Sequence, residues 1–128
     1  MTTPIFIVGA NRSGTTLLRL LLNAHSGIAI PDEINYFYGF TGAELSYENW
    51  TDPSLSLSEY TALVDRFLAT NQAVVPTLNL DSVRAEILDG PHDLRRPYQV
   101  LLEQWARHRG KGRWGEKTPG NIYHANIL

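Results

Sequence analysis

A chain of 128 residues allows one domain built on one core. Its hydrophobic content of 43% excludes a disordered chain, and a net charge of −2 argues against nucleic acid as its main partner. The absence of cysteine excludes a disulfide framework, a thiolate metal site and a cysteine nucleophile, and it fits a reducing, cytoplasmic compartment.

The chain opens on Met1-Thr2-Thr3, with no basic or long apolar segment that reads as a secretion signal, and no apolar run is long enough to span a bilayer. Pro4-Ile5-Phe6-Ile7-Val8 is an apolar run without alternation, as expected of a strand buried on both faces in a parallel sheet. Gly9 to Gly14 has turn composition. Thr15 to His25 reads as a helix whose leucines lie nearly all round, which predicts a core helix. Ile28-Ala29-Ile30 is a candidate second strand, ended by Pro31. The stretch from Asp32 to Pro53 is aromatic, glycine-containing and without clear period. It includes the triplet Asn49-Trp50-Thr51, which without a secretion signal is a chance glycosylation match.

Further on, Tyr60, Leu63, Val64, Phe67 and Leu68 keep helical spacing, predicting an amphipathic helix over about 58–71 with Ser58 as N-cap. Asp81 is the expected cap of a shorter helix carrying Val83, Ile87 and Leu88, ended by Gly90-Pro91. Tyr98, Leu101, Leu102 and Trp105 define a third helix with Pro97 near its start and Gly110 as its stop. Arg113 to Pro119 reads as a polar loop or a short strand and loop, and a last helix is expected from about Asn121. Seven cations between Arg95 and Lys117 form either a basic patch or a solvated helix face. The order is α/β in character, although only one strong strand is visible.

Gly9 and Gly14 have the spacing of a phosphate-binding loop set between a strand and a helix. Glycines let successive amides turn inward, and the helix N-terminus adds free N–H groups and the positive end of its dipole. Ser13, Thr15 and Thr16 add hydroxyls, and Arg12 adds a cation. A nucleotide triphosphatase would carry Lys after the second glycine, where this chain has Thr15.

The run from Pro4 to Arg19, with Arg12-Ser13-Gly14-Thr15-Thr16-Leu17 at its centre, resembles the 5′-phosphosulfate loop of sulfotransferases that use 3′-phosphoadenosine-5′-phosphosulfate (PAPS). It is most similar to the bacterial branch and to the tyrosylprotein sulfotransferases. Asn23-Ala24-His25 resembles the family's helix end, and Trp114-Gly115-Glu116-Lys117-Thr118-Pro119 a second signature of that branch. The resemblance implies a P-loop-containing three-layer α/β/α fold with a parallel sheet, covering residues 1–128 as the N-terminal portion of the domain. It also implies PAPS as donor, a hydroxyl-bearing acceptor and no metal. Arg12, Ser13, Gly14, Thr15 and Thr16 would hold the 5′-phosphosulfate, with Arg12 reaching the bridging oxygen. Glu33 would be the general base and Lys117 would steady the transferring group. The family's 3′-phosphate residues would lie beyond Leu128.

Other readings stay open at this stage. Asp32 or Glu33 can simply cap a turn after Pro31. Arg19 either reaches the phosphate or makes a structural pair. Glu116 is expected to orient its loop or pair with a cation. Tyr36, Phe37, Tyr38 and Phe40 either line an acceptor pocket or pack in the core. His25, His92, His108 and His124 show no metal spacing. The alternatives in function are a P-loop phosphotransferase such as a small-molecule kinase, and a truncated, non-catalytic domain. The acceptor and the oligomeric state are not legible in the sequence.

Overall fold

The strand Ile5–Ile7 (β1) lies parallel to a central strand Arg113–Lys117 (β3), which pairs on its other side, again in parallel, with Ile28–Ala29 (β2). The computed structural model describes residues 3–36, 55–125 and 128. The chain divides into two compact units, one of Met1–Ile34 with Leu102–Leu128 and one of Asn35–Leu101.

The first unit holds the sheet. Register places Ile5 opposite Gly115, Ile7 opposite Lys117 and Ala29 opposite Trp114. The central strand, Arg-Trp-Gly-Glu-Lys, is the one that composition disguised. Its last four residues are buried, and the polar ones among them all have partners. Gly115 is there because nothing larger fits: a Cβ would stand 2.9 Å from the Ile5 carbonyl oxygen and 2.9 Å from Ile30 Cγ1.

The helix Thr15–Asn23 (α1) follows the glycine loop, but it is not the core helix its leucines predict. None of its residues is buried, and Leu17, Leu18, Leu20 and Leu21 are all exposed. The partly covered residues are Thr15, Arg19, Leu22 and Asn23, one helical stripe that is mostly polar. The reason lies in hydrogen bonding. Arg19 and Asn23 bond the backbone of Ile30 just past β2, so this stripe turns inward and the leucines turn away. Lys111 fastens the other end of the helix, donating to the carbonyls of Asn23 (2.6 Å) and Ile28 (2.8 Å).

The second unit is helical in its described part. The helix Leu57–Asn71 (α2) is capped by Ser56, not Ser58. The Ser56 hydroxyl accepts from the Glu59 amide, and the Glu59 carboxylate accepts from the Ser56 amide, a reciprocal box two residues earlier than expected. Leu80–Leu88 (α3) is capped by Asn79, with Asp81 inside the first turn. Tyr60, Leu63, Val64, Phe67 and Leu68 are buried, as their spacing predicts. Tyr36 joins this core: it stacks on Tyr98, meets Phe67 edge-on and donates its hydroxyl to the Leu94 carbonyl. It therefore packs and does not line a pocket. Phe37, Tyr38, Phe40 and the Asn49 triplet lie outside the described residues.

The helix Arg95–His108 (α4) begins in the second unit and ends in the first. Many of the cations between Arg95 and Lys117 are engaged within the chain. Arg95 pairs with Asp93, Arg96 caps the carbonyls of Glu86 and Ile87 at the end of α3, Arg109 lies over Trp105, and Arg113 donates to the Thr3 carbonyl. After β3 the helix expected from about Asn121 is a short 3-10 helix over Pro119–His124.

Candidate functional site

The loop between β1 and α1 is shaped by two residues in the left-handed region, Arg12 (φ 64°) and Gly14 (φ 93°). Glycine takes that conformation freely; arginine takes it at a cost of order 1 kcal/mol, and such strain gathers at functional loops. Gly14 is the N-cap of α1, and no side chain caps this end. The amides of the first turn therefore face the loop without an intrahelical acceptor. No acidic residue lies in that turn to offset the positive end of the dipole.

A cleft of about 760 Å³ opens in front of this helix end. Asn11, Arg12, Gly14, Thr15, Thr16, Glu33 and Pro119 line it. Glu33 arrives there because β2 runs parallel to β3, so its chain emerges at the end of the sheet where the loop sits. Lys117, the last residue of β3, emerges at the same end. Its ammonium donates to Glu33 Oε1 at 2.6 Å and lies 3.4 Å from Thr16 Oγ1. The Lys117 side chain is only 4% exposed, and a cation so buried requires a counter-charge. Glu33, at 53% exposed, keeps the rest of its carboxylate toward the cleft and solvent.

The structure thus brings together Arg12, Gly14, Thr15, Thr16, Glu33 and Lys117, all proposed from the sequence. Ser13 stands apart: it is not among the lining residues, and its hydroxyl donates to the Ala10 carbonyl at 2.6 Å within the loop. Asp32 pairs with Arg19 at 2.8 Å, which separates it from Glu33 and engages the Arg19 guanidinium within the chain. The sequence did not single out Asn11 or Pro119 as lining residues. Their signals were present, one inside the glycine loop and one in the second motif.

Glu116 is fully buried and orients its loop. Its two oxygens accept from the Thr118 hydroxyl and from Asn121 Nδ2, which folds the turn after β3 back on the strand. The Pro119 carbonyl, so placed, accepts from the Gly9 amide at 3.1 Å and ties the two motifs together. Among the described residues no group of three or more His, Asp or Glu side chains is arranged to hold a metal ion. No helix among them is long and apolar enough to cross a membrane.

Fold and site define a class: an α/β chain in which a strand–loop–helix unit faces a cleft lined by one cation, hydroxyls and one carboxylate, the carboxylate paired to a buried ammonium. Residues 4–128 match the profile of the Sulfotransferase family, and the chain belongs to that family. It is thereby a transferase, of a family whose chemistry is sulfuryl transfer. No curated protein and no solved structure showed a significant match to it.

Proposed function

We propose that this chain carries the donor site of a sulfotransferase that takes PAPS as donor and a hydroxyl group as acceptor, within a three-layer α/β/α fold. The observation that carries the reading is the convergence of Arg12, Thr16 and Glu33 on one cleft, with the buried Lys117 ammonium 2.6 Å from Glu33.

The donor set suits a phosphosulfate. The uncapped amides of α1 and the Thr15 and Thr16 hydroxyls offer hydrogen bonds to the 5′-phosphate. Arg12 offers a permanent, forked charge to the bridging oxygen. The donor supplies an activated sulfuryl group. In the transfer, a bond forms between sulfur and the acceptor oxygen as the bond from sulfur to the bridging oxygen breaks. Glu33 takes the acceptor's proton. Arg12 meets the charge left on the 5′-phosphate, and Lys117 meets charge on the sulfuryl oxygens. The base and the second cation start as an ion pair, so Lys117 has to exchange part of its hold on Glu33 for the sulfuryl group.

Calorimetric titration with adenosine 3′,5′-bisphosphate, beside ATP with magnesium, tests this reading. The bisphosphate is expected to bind in preference, and Arg12→Ala to weaken it about 10- to 100-fold, the loss of one charge-assisted contact. Preference for ATP with magnesium would replace it with a phosphotransferase reading.

A further inference from the structure

We infer that Arg19 is the positioning residue for Glu33, an inference that rests on the reading of Glu33 as the acceptor's base. Arg19 lies on α1, one turn past the hydroxyls of the loop, with its side chain only 13% exposed. Its Nη1 donates to the Ile30 carbonyl at 3.3 Å and its Nη2 pairs with Asp32 at 2.8 Å. Asn23, one turn further along the helix, accepts the Ile30 amide at 2.9 Å. The backbone of Ile30 is therefore pinned to α1 through both its polar groups, and Asp32 is pinned by its side chain. Glu33 is the next residue.

The energetics point the same way. Asp32 is 74% exposed, so its pairing offsets little of the cost of desolvating a guanidinium. The Arg19 Nε is buried with no partner among the described residues. An apolar side chain would satisfy this position better for stability alone. What the arginine adds is a fixed distance between the helix that opens at the phosphate loop and the residue next to Glu33. That distance matters most when Lys117 turns toward the donor. Lys117 is the direct hold on Glu33, and during transfer its charge is needed elsewhere. The clamp through Ile30 and Asp32 keeps the carboxylate at the cleft when the ammonium moves.

The test is a double-mutant cycle on Glu33 and Lys117, using Glu33→Gln and Lys117→Met. Urea unfolding would measure it in the wild-type, Arg19→Met and Asp32→Asn backgrounds. If Arg19 positions Glu33, the Glu33–Lys117 coupling falls by more than half in Arg19→Met and measurably in Asp32→Asn. A merely structural arginine would lower stability in all members of the cycle alike and leave the coupling unchanged. That result overturns the inference, as would a coupling of zero in the wild type. Asp32→Asn alters an exposed side chain, so it decides the matter if Arg19→Met fails to fold. The cycle uses neither donor nor acceptor, so its failure is distinct from failure of the bisphosphate titration. Where turnover is measured, Arg19→Met should lower kcat by about 100-fold, as for a misplaced catalytic group, with bisphosphate Kd changed less than about threefold.

Discussion

At the scale of single residues, the candidate site rests on side chains and backbone that do not line its cleft. Gly115 is one of them. Its missing side chain leaves room for Ile30 and for the Ile5 carbonyl, and Ile30 is the residue through which α1 is fastened to the approach of Glu33. Gly115→Ala is expected to destabilise the chain by about 1–3 kcal/mol, since one 2.9 Å contact is to backbone that cannot turn aside. Chemical unfolding would check this, and an unchanged midpoint would mean that β1 and β3 can shift apart without loss. Glu116 is another such residue, with both carboxylate oxygens spent on the turn that places Pro119 beside the loop.

At the scale of elements, α1 separates two properties that sequence patterning usually joins, hydrophobicity and burial. A leucine-rich helix after a glycine loop reads as core in the sequence, yet its inward stripe is Thr15, Arg19, Leu22 and Asn23. Leu17 and Leu21 are 62% and 64% exposed. Leu17→Ser and Leu21→Ser in this chain should each shift stability by less than about 0.5 kcal/mol, as surface substitutions do. Phe67→Ala in α2, where the ring is fully buried, should cost about 3–5 kcal/mol. Equal losses at the two sites would show that the leucines are covered in solution. The same scale explains β3: Arg-Trp-Gly-Glu-Lys has no apolar run, so no period marks it as a buried strand. It occupies the centre of the described sheet because Glu33, Thr118 and Asn121 satisfy its charged side chains.

At the scale of the whole molecule, stability should respond to alkaline pH through two buried phenols. Burial pushes the Tyr60 phenol up to about 12, with the nearby Arg96 charge opposing, and holds the Tyr36 phenol well above its usual range. The folded chain keeps these protons where the unfolded chain, titrating at about 10, has released them. Fewer protons are then bound in the unfolded state, so stability falls as pH rises from about 10 toward 12. Urea midpoints followed by circular dichroism should drop across that window, and Tyr60→Phe should flatten the drop. An unchanged slope would mean that Tyr60 is solvated in the folded chain. Much of the candidate site was legible in one dimension. The loop at 9–16, Glu33 and Lys117 carry spacing and chemistry that local physics and family likeness can read, because a phosphate loop is a contiguous object made of glycines, hydroxyls and a helix start. The strand–loop–helix order and the helical spacing of α2, α3 and α4 were legible for the same local reason. The tertiary structure alone decided which residues meet. It set Lys117 against Glu33 across 84 positions, gave Asp32 to Arg19, turned the leucines of α1 outward and made a polar segment the central strand. Each of these depends on pairing polar groups that are distant in sequence, and the cost of leaving a buried charge or amide unpaired enters only when the chain has folded.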